Sequence, residues 1–186
     1  MTEHPDHHSG PSADLSVRVA WADDAAAVAR VQVAVWQEQY AGLSGALPSV
    51  EQVAEAWHRS LLSPGDARNR VLVALERNTV RGFAVCQPAS DPDCDPIAVA
   101  ELSELAVDPG ARGQGHGSRL LQAAADTLHA DRFTRAVCWL VADDDRLRTF
   151  LTGAGWAPDG AHRQLDLDGT GATTVKQVRL HTALVD

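Results

Sequence analysis

The stretch Glu101-Leu-Ser-Glu-Leu-Ala-Val-Asp-Pro-Gly-Ala-Arg-Gly-Gln-Gly-His-Gly-Ser-Arg-Leu-Leu121 runs from strand-forming residues, through Gly110, Gly113, Gly115 and Gly117, into a helix-forming segment. That order makes an anion site for a physical reason. Glycines let the backbone approach a ligand closely, and the first N–H groups of the helix have no intrahelical acceptor. The helix dipole adds attraction for negative charge. Two common phosphate motifs do not fit. A P-loop places Lys and Ser or Thr after its last glycine, where this chain has Ser118-Arg119. A dinucleotide fingerprint wants an acidic residue about 20 residues further on, and none is well placed. Taken alone, the glycines also fit a loop that binds nothing.

Working outward, residues 97–107 read as the longest strand, and residues 118–130 as a helix with Leu120, Leu121, Ala124 and Leu128 on one face. A strand over 136–141 and a helix over 143–154, stopped by Gly155, follow. Two C-terminal strands, 160–167 and 174–182, meet at Asp168-Gly169. Upstream, 15–20 alternates as a half-buried strand does. Residues 23–39 carry Val28, Val31 and Val35 at helical spacing, with Asp23 or Asp24 to cap them. Gly42, Gly45 and Pro48 break the chain before Ser49 opens a second helix to residue 62, with Glu51 and Gln52 in its first turn. Residues 71–75 and 82–86 form a hairpin across Arg77-Asn78-Thr79. The order β-α-α-β-β-β-α-β-α-β-β predicts one mixed α/β domain over residues 14–186. Residues 1–13 are a polar tail whose His4, His7 and His8 read as solvated.

With 16 basic and 25 acidic residues the net charge is −9, which repels phosphate backbones and disfavours nucleic acid as a partner. The same surface attracts cationic substrates. There is no bilayer-length apolar run and no basic-then-apolar leader, so no membrane association and a cytoplasmic location are expected. Cys86, Cys94 and Cys138 lack metal-ligand spacing and read as structural. Asp91, Asp93 and Asp95 alternate like calcium ligands, but the Gly and Glu of a calcium loop are missing. A solvated loop over 88–96 and no metal are the expectation.

The quoted segment resembles the acetyl-CoA-binding segment of the GNAT superfamily of N-acetyltransferases. Arg112, Gly115 and Gly117 match its Arg/Gln-x-x-Gly-x-Gly/Ala core, and Leu105, Val107 and Pro109 match the lead-in. The element order fits as well, so the resemblance covers nearly the whole chain. It implies a mixed sheet of about seven strands flanked by about four helices, with acetyl-CoA as cosubstrate. The pantetheine would run beside Leu105, Ala106 and Val107, and the turn Arg112, Gly113, Gln114, Gly115, His116, Gly117 and Ser118 would hold the pyrophosphate. Asp144 and Phe150 fall on the family's later Asn-x-x-Ala-x-x-Phe-Tyr pattern and belong to the same site. Within the turn, His116 reads as a solvent-facing spacer.

Two departures matter. Asp144 replaces the Asn, and Leu151 stands where the family's Tyr often protonates the departing thiolate. The chemistry also needs a base, because a protonated amine is not a nucleophile. Glu101 and Glu104, three apart, face opposite sides of a regular strand unless a bulge intervenes. Glu101 matches a position where related enzymes often carry an acid and is favoured. The segment Trp36-Gln-Glu-Gln-Tyr40-Ala-Gly42 resembles a Trp-x-x-x-Tyr-x-Gly element of one GNAT subgroup. There Trp36 would pack in the core. Tyr40 would pack or line the acceptor pocket, and it could supply the missing acid. Three readings stand: an N-acetyltransferase acting on a primary amine, with the charge tilting toward a cationic one; an acyl-CoA-binding sensor with weak turnover; and an interaction domain with a purely structural turn. The first is favoured, and homodimers are common among such domains.

Overall fold

The computed structural model describes residues 15–41, 47–167 and 169–184; the expected N-terminal tail, Gly42, Gly45 and Asp168 lie outside them. The elements are β1 (Leu15–Val19), α1 (Ala25–Gln39), α2 (Val50–Leu62), β2 (Arg70–Glu76), β3 (Thr79–Pro88), β4 (Val99–Val107), α3 (His116–Ala130), β5 (Arg135–Val141), α4 (Asp145–Gly153), β6 (Ala157–Asp166) and β7 (Thr174–Ala183). All seven strands join one sheet in the order β1-β2-β3-β4-β5-β7-β6. Every neighbouring pair is antiparallel except β4 and β5.

Local chemistry explains most boundaries. Ser49 Oγ accepts the Gln52 N–H while the Gln52 side chain accepts the Ser49 N–H, a reciprocal cap that fixes the start of α2. Arg77 and Asn78 both take positive φ, giving the two-residue turn that closes β2 onto β3. Asp24 does not cap α1 with its side chain. Its carboxylate instead accepts from Arg18 at 2.7 and 2.9 Å and from the Trp21 N–H at 2.7 Å, tying β1 to the turn before the helix. The strand over residues 97–107 is shorter than expected: β4 starts at Val99, and at nine residues it is outrun by the ten-residue β3, β6 and β7.

Helices cover both faces of the sheet. On one face α1 and α2 enclose Val28, Val73 and Phe83, all fully buried. On the other, α3 and α4 enclose Leu102, Leu120, Leu128, Leu140 and Leu151. Two irregularities of β4 position the site. Val85 pairs with Glu104 but Cys86 pairs with Leu102, so Ser103 is an extra residue, a bulge. Ahead of the bulge, the ladder between β4 and β5 covers Val99, Ala100 and Glu101 against Arg135, Ala136 and Val137. Thereafter β4 follows β3 and β5 follows β7, and the sheet forks.

No helix among the described residues is long and apolar enough to cross a membrane. Phe83 meets the edge of Trp57 with ring centroids 5.5 Å apart and joins sheet to helices. Phe83→Ala is expected to cost about 3–5 kcal/mol in chemical denaturation, the range for a large buried aromatic.

Candidate active site

The glycine-rich turn opens one wall of a cavity of about 440 Å³ at the fork. Gly113 and Gly115 have φ of 75° and 86°, a region that side-chain-bearing residues rarely enter. Gly115 is the N-cap of α3, which begins at His116, two residues before the sequence-based expectation. Arg119 N–H is the first to return to the helix, bonding the Gly115 carbonyl at 3.2 Å. The N–H groups ahead of it are left for an outside acceptor, and no acidic side chain occupies the first turn. Arg112 and Arg146 add positive charge to the lining of the same cavity. A Cβ added at Gly117 would meet Phe150 and Val107 at 3.5 and 3.7 Å, narrowing the cleft between α3 and α4. The residues present fit a phosphate-bearing ligand with a slender apolar arm.

Every residue that the resemblance assigned to the cofactor lines this cavity except Gln114. His116, however, is no solvent-facing spacer. It is 1% exposed, its Nε2 finds no hydrogen-bond partner, and burial holds its pKa below the usual imidazole value. It is the first residue of α3 and is buried there.

A second cavity, of about 430 Å³, shares Val35, Leu105, Ala106, Asp144 and Leu147 with the first. Trp36, Tyr40, Trp139 and Gln177 contribute to its walls, and among the described residues its carboxylic acids are Glu104, Asp144 and Asp166. No Lys, Arg or His is among its described lining residues. Trp36 therefore does both things: it packs against the cluster around Ala29 and Val53, and it faces the cavity.

The bulge decides which carboxylate meets this space. Pairing with Val85 and Gln87 puts Glu104 and Glu101 on the same sheet face, toward α1. Glu104 lines the cavity; Glu101, favoured from sequence, does not. Glu101 lies at the base of the fork, opposite Val137, and is 6% exposed. Its pKa is raised by burial and partly restrained by Arg163. Glu104 is pushed up to about 7, again by burial, against the lowering effect of a hydrogen bond from Gln32. Gln32 Nε2 donates to Glu104 at 2.9 Å, and Trp57 Nε1 donates to Gln32 Oε1 at 2.6 Å. Sequence reading missed Gln32 and Trp57. The one available signal was a Gln within the apolar face of α1, 6% exposed in the structure.

Tyr40 ends α1 and faces the same cavity. Burial first, then Glu104, Asp144 and Asp143, raise its pKa, so the phenol keeps its proton. Leu151 is fully buried in the core and lines neither cavity. Asp144 lies where the two cavities meet, and its carboxylate caps α4 by accepting the Leu147 N–H at 2.9 Å. The acidic loop is not simply solvated. Asp91 and Asp93 hold the buried Arg179 at 3.1 and 2.5 Å, and Asp91 accepts Trp139 Nε1 at 2.8 Å. Arg179 occupies the centre of that acidic group, which serves as the support for the Trp139 wall.

A helix start with unpaired N–H groups set beside a forked sheet is an arrangement suited to a phosphate-bearing ligand. The model of the Acetyltransferase (GNAT) family matches residues 30–155, and the chain belongs to that family. It is 32% identical over 108 residues to a mycothiol acetyltransferase of Rhodococcus erythropolis, covering 58% of this chain and 32% of that protein. It is 34% identical over 67 residues to the mycothiol acetyltransferase of Beutenbergia cavernae, covering 36% and 23%. The chain thus matches a third or less of the length of these curated relatives. Among solved structures it is similar in fold to yncA of Salmonella typhimurium, determined with its cofactor acetyl-CoA, at TM-score 0.65 and 15% identity over 93% and 95% of the two chains.

The raised pKa of Glu104 has a stability consequence. The folded protein keeps a proton that the unfolded chain releases, so this contribution is full below the ordinary carboxylate pKa and is lost as pH rises through about 7. Glu104→Gln is expected to melt about 2–6 °C above the parent at pH 8 and level with it at pH 4, as calorimetry would show.

Proposed function

We propose that the protein transfers the acetyl group of acetyl-CoA to a primary amine, by direct attack while both substrates are bound. The observation that carries this reading is Glu104, one residue before the Leu105-Ala106 segment common to both cavities. Acetyl-CoA supplies an activated acyl group as its thioester. The Gly113–Ser118 turn with Arg112 and Arg146 would bind its phosphates, and the cleft between Val107, Gly117 and Phe150 would take the pantetheine arm.

In the second cavity Glu104 takes the proton from the ammonium, freeing the lone pair that forms the new C–N bond as the C–S bond breaks. A carboxylate with a pKa of about 7 suits that role, being substantially ionised at neutral pH yet basic enough to accept the proton. Gln32, held by Trp57, orients the carboxylate. Tyr40, kept protonated, replaces the family's missing hydroxyl and returns a proton to the departing thiolate. Backbone N–H groups left unpaired along the fork stabilise the developing oxyanion. Glu104, Asp144 and Asp166, with no basic residue among the described lining residues, favour a cationic amine as acceptor. The cytoplasm is the proposed compartment. A second reading, a CoA-binding sensor, rests on Leu151 in place of the usual Tyr.

Acetyl-CoA is expected to raise the melting temperature of the parent protein, and Gly115→Val, strained at φ of 86°, to lose that response. Release of free thiol with a panel of amines then separates the readings. Stabilisation without turnover favours the sensor, and absence of stabilisation in the parent removes both. Glu104→Gln should keep donor binding and lose about 10²–10⁴ in kcat. The parent kcat/KM should rise with pH through about 7. In Gln32→Leu that rise should move to higher pH, because a hydrogen bond favouring the charged carboxylate is removed.

A further inference from the structure

Arg112 and Arg146 reach the donor cavity from different elements, the glycine-rich turn and the first turn of α4. Both guanidinium groups converge on Glu38, in the last turn of α1. Glu38 Oε2 accepts from Arg112 at 2.6 Å and from Arg146 at 3.4 Å. Glu38 does not itself line the cavity. The two arginines, Arg112 above all, hold its carboxyl below the usual range. A carboxylate thus already occupies part of the cationic capacity facing the expected phosphates.

We propose that Glu38 is an affinity-setting counter-ion for the acyl donor, a group whose hold on Arg112 and Arg146 the donor's phosphates must loosen. This rests on the acetyl-CoA reading above. Two opposing effects decide its sign. As a scaffold, Glu38 preorganises the arginines, but its carboxylate is 45% exposed; Arg112 is partly sheltered at 24% and Arg146 is open at 61%, and ion pairs this accessible to water contribute little. As a charge, it repels the donor's phosphates, which carry several negative charges at once, an interaction that salt screens but does not abolish at close range. Repulsion therefore outweighs preorganisation, and Glu38 weakens donor binding. That gives it a use: a coenzyme product held by fewer net contacts leaves faster.

The test is calorimetric titration of the full chain with CoA and with pantetheine, which lacks every phosphate. Glu38→Gln should bind CoA about threefold to tenfold more tightly, with pantetheine affinity unchanged and the gain shrinking in high salt. Arg146→Gln should weaken CoA binding, and adding Glu38→Gln to it should restore less than the single change gains. A parent protein that fails to bind CoA overturns the donor reading itself. If the parent binds CoA, an unchanged or weaker Glu38→Gln complex overturns the counter-ion role. Equal tightening of CoA and pantetheine overturns it too, because the phosphates would then not be what Glu38 opposes.

Discussion

The parting of β4 from β5 after a three-pair parallel ladder is the constraint on which the rest of the site depends. A fully zipped sheet would bury the backbone of Leu105, Ala106 and Val107 between neighbours and leave no entry for a ligand. The fork leaves polar backbone groups facing a cleft, and such groups call for a partner. It also sets α3 and α4 apart, so that the start of α3 points its free N–H groups across the opening. The two cavities are two ends of this one discontinuity, with Leu105 and Ala106 common to both.

The bulge at Ser103 serves the same end on a smaller scale. Without it, Glu104 and Glu101 would face opposite sides of the sheet. With it, both face α1, but at different depths: Glu101 under the joined part of the ladder and Glu104 at the open part. Burial raises the pKa of each. Glu104 alone of the two lines the open space where a substrate could receive or lose a proton. The buried donor chain from Trp57 through Gln32 keeps this carboxyl in place, so the strained electrostatics of the site are supported from the far side of α1.

Legibility in the sequence follows the range of the interactions involved. The element order, the cap at Ser49, the two-residue hairpin turn and the glycine-rich start of α3 are short-range events, written in adjacent residues. The family resemblance and the cofactor-side residues come from the same contiguous stretch. A bulge depends on how two strands register, and no local pattern announces it, which is why the sequence favours Glu101 over Glu104. His116 reads as a spacer because it stands among turn residues, yet the helix starts two positions early and carries it inward. Gln32, Trp57, Glu38 and Arg146 come together from elements distant in sequence. The loop with Asp91 and Asp93 reads as solvated because its counter-ion, Arg179, lies 86 residues further on from Asp93.

The fork also makes each cavity a joint product of distant stretches of chain. The second cavity is walled by Trp36, Tyr40 and Glu104 from before residue 131 and by Trp139, Leu165 and Gln177 from after it. The first likewise combines the glycine-rich turn with Arg146 and Phe150 of α4. Neither space exists until the strands on both sides of the fork are in place, so both cavities form late, with the completed sheet.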